Sequence, residues 1–197
     1  MLFQRFNFIA QNSIAPLVLF PFLACNQPDQ HHKTSSSTSA KKEIFSDAAT
    51  SVYDRALAWA EKGDERVLPL CDSLLKLNDA QIGVSPFYYL GIYHAERGDT
   101  VNALGYFDQA IVTDYTFLEA YIEKAALLLA LKKPAEAQKE LALLRAIAPT
   151  FAPCHYWIAK VAEYERKTDM AIHHYKLALS LDSALVEARQ GVLRLEK

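Results

Sequence analysis

The chain has 197 residues, of which 51% are hydrophobic, and its formal net charge is −2 at pH 7. This length supports one cooperative hydrophobic core and a leader, and it excludes two large domains. The charged residues are spread along the chain, so no basic face indicates nucleic-acid binding and no acidic tract indicates a solvating tail. Charge alone therefore selects no partner.

The first 24 residues form an apolar leader in which Arg5 is the only charged side chain. Its apolar stretch, residues 14–24, would span about 16 Å as a helix, well short of the roughly 30 Å of a bilayer core. This pattern predicts a signal peptide over residues 1–24 rather than a membrane span.

The leader ends in Phe22-Leu23-Ala24-Cys25, which resembles the lipobox of bacterial lipoproteins. The resemblance implies that Cys25 is lipidated and becomes the new N-terminus, which would place the protein in the bacterial cell envelope. By the same resemblance, Asn26 favours sorting to the outer membrane. The alternative is cleavage at or near Ala24 by an ordinary signal peptidase, which would give a soluble periplasmic or secreted protein.

A polar segment follows the cysteine, with a serine- and threonine-rich run over residues 35–39. It has too little apolar surface to fold, so residues 25–45 are predicted to be a flexible tether. Acyl chains on Cys25 would then hold the protein at a membrane, because each buried methylene contributes roughly 0.8 kcal/mol.

A small residue recurs every 34 positions in the rest of the chain. The recurring set comprises the small residue, an alanine twelve positions later and a bulky apolar residue four positions further on: Gly91, Ala103 and Phe107; Ala125, Ala137 and Leu141; Ala159, Ala171 and Tyr175. This period and order resemble the tetratricopeptide repeat (TPR) family. The resemblance implies an all-α solenoid of antiparallel helix pairs that form a right-handed superhelix.

The pattern divides the chain after the tether into repeats. The predicted TPR domain covers 46–197, and its units are a degenerate repeat (46–82), three clear repeats (84–117, 118–151 and 152–185) and a C-terminal capping helix (184–197). Gly98 is predicted to end a helix in the left-handed conformation. A small residue is expected at the crossing of the two helices in each repeat, because they approach closely there.

The family resemblance also implies a concave groove, lined by fixed positions of the first helix in each repeat. Carried over, the predicted partner-binding residues are Tyr53, Leu57, Tyr88, Ile92, Glu96, Glu119, Ile122, Ala126, Leu129, Tyr156, Lys160, Glu163 and Tyr164. Tyrosines suit such a surface because they pair an apolar ring with a polar tip, although they could instead pack between helices. Lys160 is the only cation in this set, so a carboxylate clamp is not expected. The predicted ligand is an apolar extended or helical segment of another protein.

No pattern in the sequence indicates an enzyme, a metal site or a cofactor. None of the six glycines forms a phosphate-binding loop. His173 and His174 are neighbours, so on a helix they point about 100° apart and do not form a metal pair. Cys71 and Cys154 fall in different repeats, which predicts packing roles rather than a disulfide.

Three hypotheses for function follow. The first is a lipid-anchored adaptor or assembly factor of the cell envelope that binds a protein segment in the groove. The second is a soluble exported subunit that regulates or positions an envelope enzyme. The third is self-assembly through the solenoid ends or through an exposed Cys71.

Overall fold

The computed structural model describes residues 52–77 and 83–197. Residues 52–55 belong to a first unit, Met1–Arg55, and the other described residues belong to a second unit, Ala56–Lys197. The predicted signal peptide, Cys25 and the tether lie outside the described residues, as do residues 46–51 and 78–82 of the degenerate repeat.

The described ranges contain nine α-helices and no strand. These helices are α1 (52–60), α2 (Val67–Lys76), α3 (Ser85–Glu96), α4 (Thr100–Thr113), α5 (Leu118–Ala130), α6 (Pro134–Ile147), α7 (Ala152–Tyr164), α8 (Thr168–Leu181) and α9 (Val186–Leu195). Within the second unit each helix from α2 onward packs against the next one along the chain. The predicted fold class, an all-α solenoid of helix pairs, is confirmed.

The turns inside the pairs share one backbone geometry. Gly63, Gly98, Lys132 and Arg166 all adopt a left-handed conformation, with φ of 60°, 77°, 61° and 61°. The N–H of the next residue in each case donates to a carbonyl five residues back; for example, Asp99 N donates to His94 O at 2.8 Å. These bonds satisfy carbonyls that the ending helix leaves unpaired. The prediction for Gly98 is confirmed, and two non-glycine residues adopt the same strained conformation.

Small residues allow the helices of a pair to approach closely. A Cβ added to Gly91 on α3 would lie 2.4 Å from Cε1 of Phe107 on α4. At the C-terminal end, a Cβ on Gly191 of α9 would lie 2.6 Å from Cε2 of Tyr175 on α8. The aromatic rings therefore occupy the space a larger side chain would need, as predicted for Gly91.

Both described cysteines are free and buried. Burial raises the pKa of the Cys71 thiol to about 12 and that of Cys154 to about 11. Their predicted packing role is confirmed. The hypothesis of self-assembly through an exposed Cys71 is wrong, because the side chain of Cys71 is fully enclosed between helices.

None of the helices in the described ranges combines the length and the apolar character that crossing a membrane requires.

Candidate functional site

The first helices of three consecutive pairs lie side by side. Helix α5 contacts both α3 and α7, so these three helices form one continuous surface, which we call the first-helix face. All predicted partner-binding residues except Tyr53 and Leu57 belong to these helices. Leu57 is half-buried on α1, and Tyr53 lies in the first unit.

Three of the predicted residues have almost no accessible surface. Tyr88, Ile122 and Ala126 are 9%, 0% and 4% exposed. The Tyr88 ring packs edge-on against Phe117, with the ring centroids 5.1 Å apart, and lies 6.3 Å from the ring of Phe107. These three residues belong to the core, which corrects their predicted place on the binding surface.

The other predicted residues on the first-helix face keep accessible surface. They are Ile92, Glu96, Glu119, Leu129, Tyr156, Lys160 and Glu163, which are half-buried, and Tyr164, which is 48% exposed. Tyr156 lies against Trp157 and Tyr175, with ring centroids 5.7 and 5.8 Å away. Their contact with a partner stays a prediction, and the surface they offer is mainly apolar and aromatic toward α7.

Toward α3 the face is acidic, because two glutamates absent from the predicted set join Glu96 and Glu119. They are Glu61, in the turn after α1, and Glu123 on α5. A Cβ on Gly63 would lie 3.8 Å from Cβ of Glu96, which places the turn containing Glu61 beside the end of α3. We call Glu61, Glu96, Glu119 and Glu123 the acidic cluster.

Glu123 is the most buried member of the acidic cluster, with 8% of its surface exposed. No hydrogen bond or opposite charge is among the causes that act on its pKa. Burial, and then the charges of Glu61, Glu96 and Glu119, raise the pKa of Glu123 to about 8. Burial followed by repulsion from Glu61 also raises the pKa of Glu96.

One sequence signal could have revealed this cluster. Glu119 and Glu123 are four residues apart on one helix, a spacing that brings like charges together and destabilises a helix. The repeat positions carried over from the family omit Glu123, so this signal was missed. Only the structure could show that Glu61 lies near Glu96, because that proximity depends on how the turn between α1 and α2 packs against α3.

Glu163 on α7 has a different environment, since it has partners inside the protein. Its Oε2 accepts a hydrogen bond of 2.8 Å from the Tyr175 hydroxyl, and Arg194 Nη2 lies 2.8 Å from both carboxylate oxygens. Burial opposes ionisation, but the hydrogen bonds from Tyr175 and Arg194 outweigh it and lower the pKa of Glu163. This predicted surface residue therefore ties α7 to α8 and α9.

A buried histidine pair between α7 and α8 was not predicted from the sequence. Nδ1 of His155 lies 3.3 Å from Nδ1 of His174, and Nε2 of His155 lies 3.0 Å from the Pro149 carbonyl. A carbonyl only accepts, so Nε2 of His155 carries a proton and Nδ1 of His174 donates to the free Nδ1 of His155. This arrangement requires Nδ1 of His155 to be unprotonated, whereas His174 can donate from Nδ1 in either charge state. Burial, and then repulsion from His155, lower the pKa of His174 to about 4.

The histidine pair joins α7 to α8. Among the residues that the structure describes, no three His, Cys, Asp or Glu side chains are grouped so as to hold a metal ion. The two imidazoles use their facing nitrogens on each other and stack with their planes 14° apart.

Comparison with known proteins supports the fold. No family model matches the chain. Anaphase-promoting complex subunit 3 of Schizosaccharomyces pombe is 32% identical over 93 residues, a region that is 47% of this chain and 14% of that protein. The matched region thus spans a small part of the curated relative.

Solved structures match more of the chain. The first TPR domain of Spaghetti (RPAP3), bound to the HSP90 peptide SRMEEVD, has a TM-score of 0.55 at 17% identity, covering 58% of this chain and 93% of that one. MamA from Desulfovibrio magneticus RS-1 has a TM-score of 0.57 at 23% identity, and the match covers 75% of this chain and 82% of that one. The fold is a TPR-like solenoid. Proteins with this fold mediate protein–protein interactions, and the solenoid is generally an interaction scaffold rather than an enzyme.

Proposed function

We propose that this protein is an adaptor or assembly factor of the bacterial cell envelope that binds a segment of another protein along its first-helix face. The observation that carries the proposal is the set of partly accessible apolar and aromatic side chains on that face, of which Ile92, Leu129, Tyr156 and Tyr164 are the largest. A solenoid exposes such a face along its length, which suits an extended or helical ligand.

The solved RPAP3 domain supports a peptide as the class of ligand, since its structure contains one. That peptide, SRMEEVD, carries three acidic side chains. The acidic cluster of this chain would repel such a peptide, and Lys160 is the single cation among the predicted groove residues. We therefore propose an apolar segment without a run of acidic residues as the ligand.

The proposed compartment is supported by sequence alone. The apolar leader ends at Cys25 in a lipobox-like motif, and the polar tether would separate the anchor from the TPR domain. We propose an outer-membrane lipoprotein with acyl chains on Cys25. Labelling with an alkyne-tagged palmitate, followed by membrane fractionation, should show an acylated protein in the membrane fraction and a loss of label in Cys25→Ala. A soluble, unlabelled wild-type protein would favour the second hypothesis, an exported subunit that positions an envelope enzyme.

The binding face is tested by capture from an envelope extract with the full-length protein as bait. The variant Tyr156→Ala/Tyr164→Ala should lose a captured protein that the wild type retains. Tyr115→Ala is the matched control, because Tyr115 is 68% exposed and lies in the turn between α4 and α5, outside the three helices that form the first-helix face. Equal capture by wild type and double variant would refute binding through this face.

A further inference from the structure

The buried histidine pair between α7 and α8 can carry only one positive charge while it is closed. His155 and His174 are 4% and 8% exposed, and their Nδ1 atoms lie 3.3 Å apart. That separation is a hydrogen-bond distance, so it holds one proton between the two nitrogens. A charged imidazole has a proton on both nitrogens. If both rings were charged, two N–H groups would therefore face each other in a buried contact.

The remaining nitrogen of His155 is also committed. Its Nε2 donates to the Pro149 carbonyl at 3.0 Å, and the two rings stack with their planes 14° apart. The ring of His155 therefore cannot turn to offer another nitrogen without losing the bond to the loop before α7. The geometry fixes both rings and leaves no room for a second proton between them.

The charged groups that act on His174 are all basic. They are His155 from α7, His173 from its own helix and Arg145 from α6, and no group of α9, which also packs against α8, acts on it. Burial, followed by these charges, lowers the pKa of His174 to about 4. Cys154, beside His155, stays neutral because burial raises the pKa of its thiol to about 11. No anion of the described helices therefore stabilises a proton added to His174.

Opening the pair removes these restrictions. Imidazoles in an open segment titrate near pH 6.5, and both can then be charged. Because the closed pair binds fewer protons, acidification below pH 6.5 favours the open form by about tenfold per pH unit for each extra proton. For His174 this gain continues down to its folded-state pKa of about 4.

The pair lies where local opening would alter the first-helix face. Helices α7 and α8 pack more extensively on each other than on α6 or α9. In a solenoid each repeat contacts only its neighbours, so one helix pair can open while the others stay folded. Helix α7 also carries Tyr156, the residue after His155, and Tyr164. Opening would remove these side chains from the face and leave α3 and α5 in place.

We propose that the His155–His174 pair is a pH-sensitive latch, which holds α7 against α8 at neutral pH and favours separation of these helices on acidification. Glu163 opposes separation over this range, since it stays ionised and bound to Tyr175 and Arg194. The latch goes beyond the proposed function, because opening can be measured without a bound partner.

Hydrogen–deuterium exchange of the full-length protein, resolved by mass spectrometry, measures the opening of each helix pair. After correction for the intrinsic pH dependence of exchange, protection of α7 and α8 should fall about a hundredfold from pH 6.5 to pH 4.5, relative to α3 and α4. Constant protection of α7 and α8 would overturn the latch. An equal fall in both helix pairs would overturn it as well, because the effect would then be global.

Matched variants assign the effect to the pair. In His174→Asn the side-chain amide can donate to Nδ1 of His155, or accept from it after rotation, and it does not titrate. This variant should lose most of the fall in protection. His173→Asn is the control, because His173 is the exposed neighbour of His174, and it should keep the wild-type fall. A full fall in His174→Asn, or its loss in His173→Asn, would overturn the proposal.

The exchange experiment and the capture experiment fail independently. The wild-type exchange profile tests the latch even if His174→Asn does not fold. Flat exchange of α7 and α8 would overturn the latch and leave capture at pH 7 through Tyr156 and Tyr164 unaffected. A local fall in protection would support the latch whether or not a partner is captured.

Discussion

Glu123 on α5 and Glu163 on α7 occupy first helices of neighbouring pairs, yet their surroundings shift the pKa values in opposite directions. Glu123 is buried among like charges, and its pKa rises to about 8. Glu163 is partly buried between Tyr175 and Arg194, and its pKa falls below the ordinary value. Burial disfavours ionisation at both positions, so the presence of a partner decides the sign.

The surroundings of these two glutamates therefore differ in electrostatics. Toward α9, Arg194 pairs with Glu163 and joins α9 to α7, although Glu187 Oε2 on α9 is buried without a hydrogen-bond partner among the described residues. Toward α3, burial and the charges of Glu61, Glu96 and Glu119 disfavour the ionised form of Glu123, which lowers stability at neutral pH. The same fold thus contains a carboxylate stabilised by partners and a carboxyl group whose ionisation is disfavoured by burial and like charges.

The largest expected effect contrasts two tyrosines at the same repeat position, one in each region. Tyr88→Ala should lower the free energy of unfolding by about 3 to 5 kcal/mol, because a buried aromatic ring leaves a cavity. Tyr156→Ala should cost clearly less, since that side chain is half-buried. Urea unfolding followed by circular dichroism measures both. Similar losses would contradict the assignment of Tyr88 to the core and Tyr156 to the surface.

Glu123→Gln should remove a pH dependence specific to the acidic region. The unfolded chain ionises Glu123 near pH 4.3, and the folded chain near pH 8. Between these values the folded state holds the extra proton, so stability falls as pH rises, by up to about 1.4 kcal/mol per pH unit. The variant lacks this slope and should gain about 3.5 kcal/mol over the wild type between pH 5 and pH 8.

The difference between the two proteins is the quantity to measure, by urea unfolding from pH 5 to pH 8. His174, whose folded pKa is about 4, contributes the opposite slope, because its stabilising neutral form is lost as pH falls below about 6.5. That contribution is present in both proteins and cancels. If the difference in the free energy of unfolding between variant and wild type stays constant from pH 5 to pH 8, the pKa of Glu123 is not raised, and Glu123 has a stabilising partner.

Arg194→Gln should make the α7–α9 region resemble the acidic one. Removing this partner of Glu163 should cost about 1 kcal/mol at pH 7, a modest value because the Arg194 side chain is half exposed. Because the folded-state pKa of Glu163 is lowered, ionised Glu163 stabilises the folded state above its unfolded-state pKa. This stabilisation is lost as the pH falls through the folded-state pKa. The loss caused by the substitution should therefore shrink at pH 3. Thermal melts at the two pH values check this, with Arg189→Gln as a control on the same helix.

The smallest effect concerns the turns, which share a geometry in both regions. Lys132→Gly should stabilise the protein by about 0.5 to 1 kcal/mol, since a left-handed residue with a Cβ is strained. Gly98→Ala should destabilise it by a similar amount. Nothing lies within 4 Å of a Cβ placed on Gly98, so the penalty would come from the backbone alone. In denaturant unfolding, the two substitutions should change the free energy of unfolding in opposite directions.

The repeat pattern predicted the helical solenoid because its signals are local and periodic. Small residues such as Gly91 and turn residues such as Gly98 act within one helix pair, so their roles follow from spacing. The binding surface was predicted less well. Positions carried over from a family resemblance do not include how deeply a side chain such as Ile122 is buried in this chain, and they omit Glu123 altogether.

Spacing and residue size were enough to predict the all-α repeat architecture, the glycine-ended turn at Gly98 and the packing role of the cysteines. Which carboxyl groups have partners depends on tertiary packing. Glu61 and Glu123, or Glu163 and Arg194, are far apart along the chain, and their proximity depends on how whole helices pack. Charge interactions act through space, so a pattern within one repeat cannot reveal whether a neighbouring repeat supplies a partner or a repulsion.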